Sequence, residues 1–299
     1  MKQVKWILQA GLALALVLPL AGWSAENQER GVGDVVYVPT PQIVVDEMLK
    51  MAKTGPKDFI IDLGSGDGRM VITAAKKFGA RGFGVDLSDD LLREARANAI
   101  VDGVTDRAQF IKQNLFETDL KQATVLSTYL LPEMNEKLRP KILALPPGTR
   151  VVAHDYHMGE WRSDDQKTLS VPEKVVGTPG ISYIYLWIVP AKVGGRWQSE
   201  FKHGTGSTSC EFDFTQNFQM ISGSAKIGAQ SLTLPETRMV GDQIAFTVMA
   251  KVGDAASRHE FRGTAKGDAI DGTVTIGSGS TQKQFPWTAR LMARPGVAK

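Results

Sequence analysis

Asp58-Phe-Ile-Ile-Asp-Leu-Gly-Ser-Gly-Asp-Gly-Arg69 decides the fold. An apolar run containing one acidic residue, Asp62, passes straight into three alternate glycines, Gly64, Gly66 and Gly68, and a helical pattern follows over Met70–Phe78. Glycines at such a strand-to-helix turn let the backbone bend sharply and let a ligand approach the main chain. Two ligand classes use this geometry. A dinucleotide loop has the spacing G-x-G-x-x-G, its third glycine allowing helix and strand to pack closely. Here that position is Arg69, and the spacing is G-x-G-x-G. A negative charge on Asp62 repels a pyrophosphate and suits the ammonium of a nucleoside that carries an amino acid. The second strand ends at Gly84-Val-Asp86, with Asp86 twenty residues after Gly66. A carboxylate so placed can accept both hydroxyls of a ribose.

Around the loop, apolar runs alternate with helical patterns from about residue 34 to 190. The runs are Phe59–Leu63, Gly82–Val85, Gln109–Ile111, Thr124–Thr128, Arg150–Ala153, Lys174–Val176 and Tyr183–Val189. The helices are expected over Ile43–Ala52, over Asp90–Ala99 behind the N-cap Ser88, and over Glu133–Leu145, where Met134, Leu138, Ile142 and Leu145 share a face. The alternation predicts a parallel sheet covered on both faces. The last two runs are separated by a segment containing Pro179-Gly180, which predicts an antiparallel hairpin at the sheet edge. Beyond Pro190, glycine breaks recur between short alternating segments. They predict an all-β unit of about eight strands, a meander closing towards a barrel, with its boundary near Val193.

The chain has 299 residues, 42% hydrophobic and 22% charged, which excludes a disordered or fibrous protein. The formal net charge of +3 gives no electrostatic case for a nucleic-acid partner. The single cysteine, Cys210, excludes an intrachain disulfide and a cysteine-built zinc site. Residues 1–25 have a basic start, Lys2 and Lys5, an apolar stretch from Trp6 to Leu20, and small residues after it. That pattern is a secretory signal, better cut after Ser24 than after Ala25, and it predicts an exported, periplasmic or secreted protein. The alternative is an uncleaved anchor over Trp6–Trp23, the one membrane contact expected.

Over 34–190 the D-L-G-S-G-D-G-R loop, the acidic end of the second strand and the terminal hairpin resemble the class I S-adenosylmethionine-dependent methyltransferases. Tyr37-Val-Pro-Thr-Pro41 before the loop and Arg93-Glu-Ala-Arg-Ala-Asn98 after it are similar to the small lysine N-methyltransferases of the ATP synthase c-subunit type. The resemblance implies an α/β Rossmann-like sheet of seven strands with a terminal antiparallel hairpin, and S-adenosylmethionine as cofactor. It implies that Tyr37 and Thr40 line the methionine end; on the residues alone, Thr40 is equally an N-cap. Asp62, Gly64, Ser65, Gly66 and Asp67 would form the loop, Asp86 and Leu87 the ribose side, and Asn114 and Leu115 the adenine side. The signal segment and the β unit over 193–299 depart from that family and leave the acceptor open between a protein lysine and a small molecule.

Methyl transfer from a sulfonium is an in-line displacement in which alignment and desolvation supply most of the catalysis. A base is needed only where the nucleophile arrives protonated. The carboxyl ends of the fourth and fifth strands should carry these groups. After the fourth come Tyr129, which can orient an acceptor, and Glu133, which can attract a cationic one or simply favour a helix start. After the fifth comes His154-Asp-Tyr-His157, of which His154 and Asp155 are the candidate pocket residues. No metal site is expected. In the β unit Trp197, Phe218, Phe246, Phe261, Phe285 and Trp287 read as core anchors, Cys210 as a small buried residue, and His203 and His259 as isolated. A second reading is an exported, non-catalytic nucleoside-binding or metabolite-binding protein whose β unit takes a ligand or partner. Hydride transfer is disfavoured by Arg69 and Asp62.

Overall fold

Apolar strands too short to bury themselves alone become, in the computed structural model, the centre of a seven-stranded mixed sheet. Residues 37–203, 206–252, 255–277 and 279–294 are described. The expected signal segment, its cleavage site and the anchor alternative lie outside the described residues. The chain divides into Met1–Val38, of which Tyr37 and Val38 are described, and Pro39–Lys299, which holds both sheets.

Helix α1 (Gln42–Met51) precedes the glycine loop. Strand β1 (Phe59–Leu63), helix α2 (Arg69–Phe78), strand β2 (Arg81–Asp86), helix α3 (Asp89–Val101) and strand β3 (Ala108–Lys112) make the first half. Strand β4 (Val125–Thr128), helix α4 (Pro132–Ile142), strand β5 (Arg150–His154) and the hairpin β6 (Asp165–Ser170) and β7 (Ile181–Ile188) make the second. The order is β3-β2-β1-β4-β5-β7-β6, with β7 antiparallel to both of its neighbours. The order reverses beside β1, so the crevice at the carboxyl ends of β1 and β4 is where such a sheet takes its ligand. One core, with Val44, Ile60, Val71 and Val125, covers one face of the sheet; another, with Ile61, Leu126, Val151 and Trp187, covers the other. Ser88 caps α3 as expected, accepting the Leu91 N–H.

The edge hairpin forms, but from different residues. Lys174–Val176 is not a strand; it lies in the connection between β6 and β7. The true partner, β6, is the sheet's outer strand and its Asp-Gln-Lys-Thr-Leu-Ser side chains are largely exposed, so it carries no apolar run to read. Val175 is itself 74% exposed, while Lys174 turns inward.

The second sheet has eight antiparallel strands: β8 (Gly195–His203), β9 (Gly206–Asn217), β10 (Met220–Ile227), β11 (Gln230–Arg238), β12 (Gln243–Val252), β13 (Ala255–Lys266), β14 (Ala269–Ile276) and β15 (Lys283–Ala293). The first strand pairs with the last, giving the order β11-β10-β9-β8-β15-β14-β13-β12. The two edges, β11 and β12, meet through side chains: Thr237 Oγ1 donates to Ala245 O (3.1 Å), and Lys251 N donates to Gln230 Oε1 (2.7 Å). The nearly closed barrel is filled by Phe246, Phe261 and Trp287, as expected of core anchors, and by Phe212, which sequence reasoning does not single out, with ring centroids 5.0–6.2 Å apart. Cys210 is buried, and burial pushes its thiol up to about 12. Phe218 departs from the expectation: it sits on the β9–β10 turn and packs outside this core, against the first sheet's side of the molecule.

Candidate active site

Glycine spacing is explained by what surrounds the loop. Gly68 is the N-cap of α2 with φ +82°, and a Cβ there would lie 2.5 Å from Phe110 Cζ and 2.9 Å from Ala95 Cβ. The close packing that a dinucleotide loop assigns to its third glycine is thus done one residue earlier. Arg69, freed from that role, folds back: its guanidinium grips both oxygens of Asp67 and donates to Thr40 O (2.7 Å). Gly64 and Ser65 both donate to Val85 O (2.9 Å), tying the loop to β2.

Asp86 closes the other side. Its Oδ2 accepts from Gly66 N (3.0 Å) and its Oδ1 from Ser88 N (2.9 Å). Each carboxylate oxygen has a second lone pair, so two acceptor positions remain for ribose hydroxyls. The hydroxyl of Ser65 is buried without a hydrogen-bond partner among the described residues. Leu87 leaves 45% of its surface exposed beside Asp86. Asn114 Oδ1 is engaged by Phe116 N (3.0 Å), and Leu115 packs partly against the core. An unpaired buried hydroxyl, two open acceptor positions and an exposed apolar side chain fit the hydroxyls and base of a nucleoside.

Asp62 differs from its expected fixed charge. Register places it beside Ser127, whose hydroxyl donates to Asp62 Oδ1 (2.7 Å). Burial pushes its carboxyl up to about 7; Ser127 works against that shift, and the charges of Asp86 and Asp67 add to it. The free site therefore carries a carboxyl poised to ionise when a cation arrives.

The acceptor side is built by the ends of β4, β5 and β7. His154 is fully buried, its ring centroid 4.1 Å from that of Tyr129. Its Nε2 is 3.0 Å from Ser182 Oγ and its Nδ1 is 3.3 Å from Thr40 Oγ1. Burial lowers its pKa to about 4; Asp155 opposes the shift and Lys174 adds to it. His154 is thus a neutral imidazole with both nitrogens engaged, a positioning residue and not a free base. Thr40 is not a helix cap: Pro41 holds that position without a side-chain bond, and the Thr40 hydroxyl faces His154 instead.

Asp155 is held in the left-handed region, φ +61°, where Asp is among the tolerated residues. Its Oδ1 accepts from Tyr183 N (3.1 Å), and its Oδ2 accepts from Tyr129 Oη (3.3 Å) and pairs with Lys174 Nζ (2.6 Å). Burial, aided by Asp155 and Tyr156, raises the Tyr129 pKa, so it remains a phenol. Tyr129, His154 and Asp155 therefore lie together. Glu133 is not among them: it is exposed in the first turn of α4. His157 is exposed too, its Nδ1 accepting from Gly159 N. Tyr37 is half-buried and belongs to the first unit. Lys174 is a site residue that sequence reasoning misses. Its only signal is a cation opening an apolar run that ends in turn residues.

The loop after β5 is fixed from several sides. Arg139 of α4 donates to Met158 O (2.9 Å), and Trp187 of β7 donates to Trp161 O (2.7 Å). From the second sheet, Gln219 Oε1 accepts from Trp161 Nε1 (3.0 Å), its Nε2 donates to Arg162 O (2.7 Å), and Phe218 stacks on Trp161 with centroids 6.0 Å apart.

Residues 62–165 match the family model of the ANTKMT methyltransferase domain. A protein-lysine N-methyltransferase of Saccharolobus islandicus (strain REY15A) is 49% identical over 129 residues, 42% of this chain and 80% of that protein. The lysine N-methyltransferase of the ATP synthase c-subunit from Rattus norvegicus is 32% identical over 131 residues, 43% of this chain and 59% of that protein. The crystal structure of an RNA methyltransferase from Salinibacter ruber in complex with S-adenosyl-L-homocysteine shares 44% identity, covering 52% of this chain and 96% of that one with a TM-score of 0.47. Half of the aligned residues are identical to the Saccharolobus protein across four-fifths of its length, and the chain belongs to the family of S-adenosylmethionine-dependent methyltransferases that includes the protein-lysine N-methyltransferases.

Proposed function

We propose that this methyltransferase acts on the ε-amino group of a protein lysine, and that it does so after export. The names of the relatives support the lysine; residues 1–25 support the export. The observation that carries the acceptor reading is the buried pair Asp155–Lys174 under Tyr129 at the carboxyl end of β5. A lysine nucleophile must shed a proton before it can attack, because its ammonium has no lone pair. Lys174 already neutralises Asp155, so that carboxylate is not left unpaired for an arriving ammonium. A second cation beside Lys174 in a buried setting is disfavoured, which lowers the acceptor's pKa and favours the amine.

Bound S-adenosylmethionine supplies an electrophilic methyl group on a sulfonium. Asp62 and Asp86 would hold its ammonium and ribose. Tyr129 Oη donates to Asp155 and keeps lone pairs for an acceptor N–H, orienting the nitrogen for in-line attack. The N–C bond forms as the C–S bond breaks, leaving a neutral thioether and a methylated ammonium that can lose its proton to water.

The test is transfer of labelled methyl from S-adenosylmethionine by the purified protein, using lysine peptides and their arginine counterparts. Label on lysine alone is the expected result. Label on small-molecule acceptors in a metabolite extract, with none on any lysine peptide, overturns the lysine assignment. Cell fractionation tests export: recovery of the protein only with cytoplasmic markers overturns it.

A further inference from the structure

At the opposite edge of the first sheet, where β4 and β5 begin, a cavity of about 580 Å³ opens at the seam with the second sheet. That volume lies in the range of small-molecule sites. Much of its lining is aliphatic: Leu143, Leu145 and Pro147 come from the connection before β5, Pro190 and Ala191 from the linker between sheets, and Ala265 from β13. Three prolines, Pro146, Pro147 and Pro190, stiffen this lining. Its rim is cationic. Lys121, Lys192 and Lys266 reach it from three separate segments, and among the described residues none of these ammoniums has an ion-pair partner. Arg294 is also there, held by Asp268 (2.8 Å) and by Lys192 O (3.1 Å). The one lining carboxylate, Asp242, accepts from the Gln243 amide (2.6 Å).

We propose that this seam is a binding site for a single-chain amphiphile with an anionic head, the chain on the aliphatic lining and the head among Lys121, Lys192 and Lys266. Charge complementarity fixes the sign of the head: three lysines with no ion-pair partner among the described residues line the cavity with one carboxylate that already has a donor. The lining fixes the tail, because it contains no aromatic side chain on which a nucleobase could stack. The site lies away from Tyr129 and Asp155, so it does not depend on which acceptor is methylated. Both sheets contribute to it, so occupancy would fasten the second sheet to the first.

The experiment is calorimetric titration of the full protein with four probes below their micelle concentrations. They are dodecanoate, dodecyl phosphate, dodecyltrimethylammonium and inorganic phosphate. Saturable binding of one molecule of dodecanoate or dodecyl phosphate is expected, and which of them binds tighter identifies a carboxylate or a phosphate head. Lys192→Glu with Lys266→Glu should weaken that binding at least tenfold and leave S-adenosylmethionine affinity unchanged. Ala144→Trp, at an exposed lining position, should block the chain without touching the head. Equal binding of the cationic amphiphile, full affinity from phosphate alone, unsaturable uptake, or no effect of these variants would each overturn the proposal.

Discussion

Lys174 Nζ lies 2.6 Å from Asp155 Oδ2, and the two side chains are only 4% and 5% exposed. Removing one member of such a pair strands the other as an uncompensated buried charge, at a cost of roughly 3–5 kcal/mol. Lys174→Met should therefore destabilise the protein strongly in urea unfolding. Lys174→Met combined with Asp155→Asn should recover much of the loss, since both charges are then gone. The same pair is expected to depress the acceptor's pKa, so Lys174→Met should also move the rise of activity to higher pH. An unshifted pH profile in a folded variant would remove Lys174 from the acceptor's electrostatics.

Asp62 should make cofactor affinity depend on pH. Its folded pKa is raised from 3.8 to about 7, so between these values the folded state holds a proton that the unfolded state has lost. Stability from this group is greatest at low pH and falls as pH rises through that window. A bound ammonium favours the carboxylate, so cofactor binding below pH 7 must expel a proton. Affinity for S-adenosylmethionine should weaken progressively below pH 7 and level off above it. Asp62→Asn should flatten the curve, bind more weakly above pH 7, and be more stable there than the parent. Calorimetry in buffers of different ionisation enthalpy counts the proton released; zero release near pH 6 would contradict the assignment.

How far the sequence foretells this site depends on whether a residue's role is local. The glycine loop, Asp86 and the cap Ser88 are legible because their partners lie within a short stretch: Asp86 bonds Gly66 and Ser88, each near in the chain. The eight-stranded unit is legible from alternation punctuated by glycine. What escapes depends on long-range contact. Edge strand β6 buries almost nothing, so it leaves no apolar periodicity. Lys174 acts through Asp155, which no spacing reveals. Thr40 reads as a cap because a helix follows it, whereas its partner His154 is 114 residues away. Phe218 reads as core because aromatic residues in strands usually are; its turn position points it at Trp161 instead.

His154 should not titrate near neutrality. Its folded pKa is lowered from 6.5 to about 4, so as pH falls through that interval the unfolded chain takes up a proton that the folded one refuses. Its contribution to stability is present above 6.5 and is lost as pH falls towards 4, opposite in sign to that of Asp62. Proton NMR should show one histidine ring whose shifts are constant from about pH 5.5 to about pH 8. His154→Gln should abolish that resonance and reduce the acid sensitivity of the melting temperature. A midpoint above 6 for this ring would mean that it ionises in the pocket and is available as a base.

Gln219 joins the second sheet to the loop that follows β5. Its side chain is 2% exposed and satisfies two groups of the other layer, Trp161 Nε1 and Arg162 O. Gln219→Ala leaves the indole N–H buried without an acceptor, a penalty of about 1–3 kcal/mol. That strain falls first on the loop that runs from Asp155 to Trp161, and the glycine loop is reached from there through the longer relay His154–Thr40–Arg69–Asp67. Reaction geometry is sensitive to small displacements, whereas Asp62 and Asp86, proposed to hold the cofactor, lie on β1 and β2. The expected result is a fall in kcat of about tenfold with S-adenosylmethionine affinity within a factor of about two of the parent. Equal losses in kcat and in cofactor affinity would show instead that the β9–β10 turn supports the whole first sheet and not the acceptor loop in particular.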